Sequence, residues 1–303
     1  MKTCTNVALT RCLNYEQEAL KDHIDELCGA LGFSLCSGDR VLLKPNLVSG
    51  AGHQGEAITH PGFVAAVAAW CLDQGARVSV GDSPAFGSAL SVMEKFGYTE
   101  ALKGMPVALI NFRKKKRVET ETGFRPVIAG EIYEHEYLIN LPKVKAHNQL
   151  RLTLAVKNYF GVVLSWRKAV AHMQHGDKHF VKLVVDLLDV VPEGISIADG
   201  IVAMHKRGPV GGEPFELGVI GASRNPVALE TAIMQILAVD PEASPVWLEC
   251  RLREKVGCNI SSLVFPLLKP SALTVQGFQV PEMLSPVRFQ VQSFLFNSIR
   301  RLF

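Results

Sequence analysis

Short apolar segments that run into a polar turn, and from there into a helical segment, recur through the first 112 residues. Residues 41–47 (VLLKPNL) and 77–84 (RVSVGDSP) each begin as a short strand and end in a polar turn. Pro61 marks a helix start between them, because proline at the first helical position costs no intrahelical hydrogen bond. This alternation predicts an α/β fold with a doubly wound, mainly parallel sheet and helices on both faces. We also expect a second, smaller α/β lobe and a C-terminal amphipathic helix.

The chain has 303 residues, enough for one large domain or two modest ones. We expect an α/β domain over residues 1–283, with sub-lobes at 1–135 and 136–283, and a basic amphipathic tail over residues 284–303. In the tail, Phe294, Leu295 and Ile299 fall on one helical face, and Arg300 and Arg301 add positive charge. Such a helix can lie at a membrane surface. It can equally dock on its own domain or on a second subunit of a homo-oligomer.

Charge and cysteine content argue against several classes of protein. The net charge of +3 is too small for a nucleic-acid-binding protein, in which a concentrated basic face is expected. The seven cysteines are odd in number and form no CxxC, which argues against a disulfide scaffold, a zinc ribbon or an iron–sulfur cluster. The N-terminus lacks the apolar core of a signal peptide, and no run of about 18 apolar residues occurs. These features predict a cytoplasmic protein, and the tail is compatible with the membrane surface.

The stretch from Tyr137 to His179 carries the strongest chemical signal. It begins as an apolar strand and breaks into a polar, basic run that contains His147, Lys157 and His172. Two imidazoles can bind a metal or move protons near neutral pH. A lysine in a partly buried site can act as a nucleophile, form a Schiff base or hold an anion. We predict these three as catalytic residues and the two histidines as candidate metal ligands, with a purely structural role as the alternative.

Polar residues also follow other strands of the predicted sheet. Ligands of parallel α/β sheets bind at the carboxyl ends of the strands. We therefore expect cofactor or anion binding by Lys44, Asn46, Lys145 and Asn158.

Two carboxylates, Asp82 and Asp199, are predicted to end strands, and both are expected near the same edge. Each is expected either to orient a metal-binding histidine or to cap the turn after its strand. The sequence alone leaves both interpretations open.

The segment 204–214 (MHKRGPVGGEP) is rich in glycine and in basic side chains. Gly208, Gly211 and Gly212 would let backbone amides approach a carboxylate or a phosphate. The chain contains no P-loop, no GxGxxG, no GxSxG and no HExxH, so none of the common nucleotide, hydrolase or zinc-protease signatures identifies the ligand. A divalent metal and an organic phosphorylated cofactor both remain compatible with the residues.

Several segments together resemble one known family: VLLKPNL, THPGFV, VSVGDSP, LPKVKAH, LAVKNYFG, ADGIVAMHKRGPVGGEP and SRNPVALE. They are similar to domain-of-unknown-function family 362 over about residues 40–277. Many members carry ferredoxin-type iron–sulfur modules, but this chain lacks their cysteine clusters, so the resemblance implies no iron–sulfur cluster here. The chain departs from the family pattern at His205 and Lys206, which make the local pocket more basic, and at Glu230, where the family has aspartate.

The order and spacing of His147, Lys157 and His172 is also distantly similar to that of the nickel-dependent lactate racemases. That resemblance implies that Lys157 attaches or contacts a nickel-pincer nucleotide, and that the two histidines serve as metal ligand and as acid or base. The racemases carry a histidine in a strand-end turn where this chain has Asp82, which argues against racemase activity itself.

The residues thus favour an enzyme with His147, Lys157 and His172 at its centre. It would act on a small anionic substrate, or bind a metal or phosphorylated cofactor, through proton transfer or metal-assisted redox chemistry. Racemase-like and oxidoreductase-like reactions both fit. The alternative is a non-catalytic protein that holds or matures a metal or cofactor at a membrane surface through residues 286–303.

Overall fold

The computed structural model describes residues 5–48, 55–84, 87–164 and 176–285; His172 and residues 286–303 lie outside these ranges. The strands are β1 (Ala8–Arg11), β2 (Arg40–Pro45), β3 (Arg77–Asp82), β4 (Val107–Asn111), β5 (Lys115–Arg117), β6 (Val127–Ala129), β7 (Tyr137–Leu141), β8 (Lys143–His147), β9 (Arg151–Thr153), β10 (Gly194–His205) and β11 (Glu213–Ser223). The helices are α1 (Gln17–Ala30), α2 (Pro61–Asp73), α3 (Ala89–Lys95), α4 (Tyr98–Ala101), α5 (Ala155–Asn158), α6 (Gly176–Asp186), α7 (Pro226–Ile236) and α8 (Pro245–Leu252).

Nine of these strands form one mixed sheet in the order β1-β11-β10-β7-β2-β3-β4, with β8 paired to β10 and β9 paired to β8. The central strands β10, β7, β2, β3 and β4 are parallel, whereas β1, β11 and β10 pair antiparallel at one edge. β5 and β6 form a separate antiparallel pair. The predicted α/β fold with a mainly parallel sheet is confirmed.

Both faces of the sheet are covered by helices, as the sequence predicts. Val41 and Leu43 of β2 lie in one apolar core with Leu20 of α1, whereas Leu42 lies in a second core with Val184 of α6. Successive side chains of a strand point to opposite faces, so these two cores lie on opposite sides of β2.

Two of the helices begin where proline predicts. Pro61 opens α2, and the ring Nδ1 of His60 accepts a hydrogen bond from the backbone N of Gly62 at 3.1 Å. Pro226 opens α7 in the same way, with Asn225 as its N-cap. The first backbone N–H groups of a helix have no partner within it, so these caps fix where both helices start.

Two strands differ from the prediction. The polar run after β7 is a buried strand, β8, because Lys145 and His147 alternate with the apolar Val144 and Ala146 and the backbone pairs with β9 and β10. β10 does not end at Asp199 but continues to His205, since it pairs with β11 along almost its whole length. Asp199 therefore lies inside a strand, and the predicted loop 204–214 is largely the end of a long hairpin.

Strands from both halves of the chain share this sheet, because β2 pairs in parallel with β7. The division into sub-lobes 1–135 and 136–283 stays a prediction. None of the helices within the described ranges combines the length and the apolar character that crossing a membrane requires.

Candidate functional site

Three lysines and one aspartate from four separate elements influence one another electrostatically, and we call them the lysine cluster. Lys44 lies on β2, Lys145 on β8 and Lys157 on α5, while Asp82 ends β3. Lys44 and Lys145 are fully buried and Asp82 is almost so, whereas Lys157 is partly exposed. With all four groups ionised, the cluster holds three positive charges against one negative charge.

Lys44 and Asp82 form the ion pair at the base of the cluster. The Nζ of Lys44 lies 2.9 Å from Oδ1 of Asp82, and the backbone N of Leu47 donates to Oδ2 at 3.1 Å. Burial lowers the pKa of Lys44, and the charge of Asp82 opposes that effect. Gly161 covers the pair so closely that a Cβ at this position would lie 2.2 Å from both charged atoms. Glycine is therefore required at this position, because any side chain would collide with the ion pair.

Lys145 is buried without a carboxylate as its hydrogen-bond partner. Its Nζ donates to the backbone oxygens of Ala57 at 2.7 Å and of Pro209 at 3.2 Å. Burial holds the pKa of Lys145 well below its usual value, and the positive charges of Lys157 and Lys143 lower it further. Within the described ranges, its charge, when present, is compensated by these carbonyl dipoles and by the charge of Asp82.

Lys157 differs from its neighbours because the described residues give its Nζ no hydrogen-bond or ion-pair partner. Burial, followed by the positive charge of Lys44, lowers the pKa of Lys157 to about 8. Lys157 lies on the short helix α5, and a buried carboxyl group caps the start of this helix. The backbone N of Val156 donates to Oε1 of Glu230 at 2.8 Å. Burial raises the pKa of Glu230 to about 8. Glu230 thus fixes the position of the helix and does not line the site.

Three asparagines connect α5 to the strands beneath it. The side-chain nitrogen of Asn46 donates to Oδ1 of Asn158 at 2.9 Å, and the nitrogen of Asn158 donates to Oδ1 of Asn140 at 2.8 Å. The nitrogen of Asn140 in turn donates to the backbone oxygen of Ala155 at 2.9 Å. The buried Oδ1 of Asn46 has no hydrogen-bond partner within the described ranges. Asn46 and Asn158 therefore contact each other beside Lys44, and cofactor binding by these two residues stays a prediction.

A second buried ion pair is surrounded by donors, and we call it the Asp199 cluster. Lys143 Nζ donates to Oδ2 of Asp199 at 2.8 Å, the hydroxyl of Tyr15 donates to Oδ1 at 2.9 Å, and the backbone N of His60 donates to Oδ2 at 2.9 Å. The Tyr15 and His60 rings stack with centroids 3.7 Å apart. Burial raises the pKa of Tyr15 and lowers that of His60. Both oxygens of Asp199 thus have partners.

Of the three predicted catalytic residues, the structure places Lys157 in the lysine cluster and His147 close by. His147 ends β8, two residues beyond Lys145 and hence on the same face of that strand. It is 2 % exposed, and its Nδ1 accepts a hydrogen bond from the backbone N of Gln149 at 3.1 Å. His172 lies outside the described residues. The meeting of all three side chains therefore stays a prediction.

The predicted metal chemistry finds little support in the described ranges, which contain no group of three or more His, Cys, Asp or Glu side chains able to hold a metal ion. The ammonium groups of the lysine cluster repel a cation, so these residues do not fit a bare divalent metal. Asp82 and Asp199, expected to orient a histidine ring, pair with Lys44 and Lys143 instead. Metal ligation by His147 and His172 stays a prediction.

The three glycines predicted to bind a cofactor all have backbone reasons to be glycine. A Cβ on Gly208 would lie 1.9 Å from the backbone oxygen of Ala146, and one on Gly212 would lie 2.5 Å from two backbone oxygens. Gly211 has a φ of +75°, which other residues rarely adopt. The loop still reaches the lysine cluster, through the oxygen of Pro209. Cofactor binding by these glycines stays a prediction.

The sequence interpretation missed Asn140, Lys143 and Gly161. Lys143 could have been found, because it precedes Lys145 by two residues and strand alternation places both on one face. Asn140 is a polar residue in an otherwise apolar strand, which is a weaker signal. Gly161 could not have been found, because only the three-dimensional structure shows that it covers the Lys44–Asp82 pair.

Comparison with known proteins identifies the family. The chain belongs to the family described as Domain of unknown function (DUF362), whose model matches residues 41–235. It is 36% identical over 306 residues to the thylakoid-associated protein sll1697 of Synechocystis sp. (strain ATCC 27184 / PCC 6803 / Kazusa), covering 98% of this chain and 94% of the relative. The predicted family resemblance is confirmed.

Two solved structures are also similar in part. One is the lactate racemase apoprotein from Thermoanaerobacterium thermosaccharolyticum, with 10% identity and a TM-score of 0.39 over 65% of this chain and 51% of that chain. The other is a structural-genomics protein from Thermotoga maritima, with 10% identity and a TM-score of 0.41 over 65% of this chain and 53% of that chain. The similarity thus extends over about half the length of each of these proteins.

Proposed function

We propose that this protein is an enzyme that binds a small organic anion at the lysine cluster. The supporting observation is the grouping of three lysines around one aspartate, which gives the cluster an excess of positive charge when the lysines are protonated. A buried charge is costly unless it is paired, so such a site gains stability from a ligand that brings negative charge. The cluster also lies at the carboxyl ends of parallel strands, where ligands of such sheets bind.

Lys157 is the group we propose to exchange a proton with the bound anion. A group transfers protons most effectively when its pKa lies near the working pH. The pKa of Lys157 is lowered to about 8, and its side chain is partly exposed, so it has access to a ligand. Lys44 is committed to Asp82, and Lys145 donates to two backbone oxygens. We propose that these two buried lysines attract the anion by their charge, while Lys157 contacts it.

Calorimetric titration of the purified chain with inorganic phosphate and with pyruvate tests the anion site. We expect binding of at least one of these anions, with an affinity that falls as the pH rises through about 8, because Lys157 then loses its charge. Lys157→Met is expected to weaken binding on the order of tenfold or more, since hydrogen bonds to charged groups contribute about 1.5–3 kcal/mol.

Lys103→Met is the matched control, because Lys103 is an exposed lysine paired with Glu100 on the surface. It should bind both anions as the wild type does. If neither anion binds, or if Lys157→Met and Lys103→Met bind equally well, the lysine cluster is not an anion site.

We propose a membrane-surface location as a second element of function, carried by the tail at residues 286–303. The full-length relative is named for its association with thylakoids. The sequence of the tail combines aromatic and aliphatic residues with arginine, a composition typical of helices that lie in a membrane interface. The alternative to an enzyme is a non-catalytic protein that holds a cofactor at the membrane surface, and a membrane location would favour this alternative.

Sedimentation with vesicles of mixed phosphatidylglycerol and phosphatidylcholine tests the location. The full chain is expected to sediment with the vesicles, and Phe294→Glu is expected to release it. Leu252→Glu is the control, because Leu252 is a leucine with 69% of its surface exposed outside the tail. Equal sedimentation of all three proteins would contradict membrane contact through the tail.

A further inference from the structure

Lys157 has the surroundings of a nucleophilic amine as well as those of an acid or base. Its Nζ has no hydrogen-bond or ion-pair partner among the described residues, whereas every other lysine of the two clusters donates to an oxygen atom. Lysines become nucleophiles when they are desolvated or lie next to another cation. Lys157 meets both conditions, because it is largely enclosed and Lys44 acts on it electrostatically.

We propose that Lys157 forms an imine with the carbonyl carbon of a 2-oxo acid, whose carboxylate binds beside Lys44 and Lys145. This inference rests on the proposed anion site and names the class of substrate for it. The anion and the reactive carbon must be adjacent, because the cations that would hold the anion lie close to Lys157. In a 2-oxo acid the carboxylate and the carbonyl are directly bonded, so one small molecule meets both requirements.

The step balances without any further reactant. The lone pair of the neutral Lys157 amine forms a C–N bond to the carbonyl carbon, and the C=O pair moves to oxygen, which takes a proton from the nitrogen. The C–O bond of the resulting carbinolamine then breaks, and the hydroxyl leaves as water with the second amine proton. The products are a C=N bond and one water molecule, and nothing is oxidised or reduced.

Lys157 is favoured over Lys145 for this reaction on geometric grounds. Lys145 is fully buried, and its Nζ is held by the backbone oxygens of Ala57 and Pro209. An attacking amine has to be reached by the substrate carbon, and the complete burial of Lys145 leaves its Nζ no exposed surface for that approach. The partly exposed Lys157 can do so, and near neutral pH its neutral fraction is on the order of a hundredfold larger than that of an ordinary lysine.

Reductive trapping tests the proposal. The full-length protein is incubated with pyruvate and then with sodium cyanoborohydride, which reduces an imine to a stable secondary amine. Intact mass and peptide mapping should show one reduced pyruvate adduct, located on Lys157. Its yield should rise with pH towards about 8 and should exceed that of any other lysine by on the order of tenfold or more.

Two variants and one binding measurement make the outcome decisive. Lys157→Arg keeps the positive charge but has no nucleophilic amine, so it should bind pyruvate and give no adduct. Lys103→Arg should be trapped as the wild type is. Pyruvate binding without an adduct on Lys157 overturns the imine and leaves the anion site standing. Absence of pyruvate and phosphate binding overturns both, and equal labelling of exposed lysines overturns the imine.

Discussion

The two buried lysine–aspartate pairs of this protein have similar geometry and different surroundings. Lys44 and Asp82 lie 2.9 Å apart, and Lys143 and Asp199 lie 2.8 Å apart. Asp199 is saturated by the Tyr15 hydroxyl and a backbone N–H, in addition to its lysine. The Lys44–Asp82 pair instead lies close to further ammonium groups and to the side-chain oxygen of Asn46, which has no hydrogen-bond partner within the described ranges.

On the proposed function, this difference separates a pair that stabilises the fold from a pair that belongs to the anion site. Removing one partner of a buried ion pair is costly, so a substitution that breaks either pair should destabilise the fold. Of the two, the lysine cluster has more lysines than aspartates, and it contains Lys157, whose pKa is lowered to about 8. The Asp199 cluster ties α1, α2 and β10 together, whereas the lysine cluster retains capacity for a ligand. Substitutions in the two regions should therefore have different consequences.

Among the substitutions considered, Gly161→Ala should lower the free energy of unfolding the most. The new Cβ would lie 2.2 Å from both Lys44 Nζ and Asp82 Oδ1 and would force the ion pair apart. We expect the free energy of unfolding to fall by about 3–5 kcal/mol, the cost of breaking a buried pair, together with loss of phosphate and pyruvate binding. Urea denaturation and calorimetry measure the two effects.

Gly29→Ala is the control for that experiment. Nothing lies within 4 Å of a Cβ at Gly29, which sits in α1. The free energy of unfolding should rise by up to about 1 kcal/mol, because alanine has a higher helix propensity than glycine. A Gly161→Ala protein as stable as the wild type, with anion binding intact, would show that Gly161 does not cover the ion pair.

Much of the fold could be predicted because its signals are local. Pro61 and Pro226 mark helix starts, and the alternation of strands and helices defines a parallel sheet. The polar run that contains Lys145 and His147 is a buried strand that its sequence does not predict, because a polar residue buried by tertiary contacts is not distinguished in sequence from one in an open loop. Likewise, β10 extends past Asp199 because β11 returns to pair with it, and such a long-range pairing leaves no local signal.

Strand ends and one basic stretch predict a group of polar residues, and in the structure these lie close to one another: Lys44, Asn46, Lys145, Lys157 and Asn158. Their role in ligand binding stays a prediction. Which lysine each aspartate would pair with depends on the sheet order, which no spacing reveals.

The second prediction concerns the pH dependence of stability, through Lys157→Met. The pKa of Lys157 is about 8 in the folded protein, below the ordinary value of 10.5, so the unfolded chain binds more protons between these values. The folded wild type is therefore penalised below pH 8 by up to roughly 3 kcal/mol, and the penalty fades as the pH rises towards 10.5. In ligand-free buffer, the methionine variant should be more stable by up to that amount near pH 7 and should lose the advantage near pH 10.

Urea denaturation at both pH values measures this difference, with Lys103→Met as the control. Lys103 is exposed and its surface ion pair is worth at most about 1 kcal/mol, so that variant should differ little from the wild type at either pH. A stability gap between Lys157→Met and the wild type that is the same at both pH values would mean that Lys157 titrates normally.

The smallest change in the free energy of unfolding is expected in the Asp199 cluster, for Tyr15→Phe. The change removes the hydroxyl that donates to Asp199 and accepts from Lys143 Nζ at 3.2 Å and from the backbone N of Val202 at 3.3 Å. The carboxylate of Asp199 keeps its contacts with Lys143 and the His60 backbone. The stacking of ring 15 on His60 is retained, because phenylalanine has the same ring. We expect a loss of about 1–3 kcal/mol in the free energy of unfolding, the cost of one buried hydrogen-bond partner.

Anion binding and trapping at Lys157 should both stay at wild-type levels. A Tyr15→Phe protein that keeps its stability but loses anion binding would place the Asp199 cluster in the functional site and remove the distinction between the two pairs.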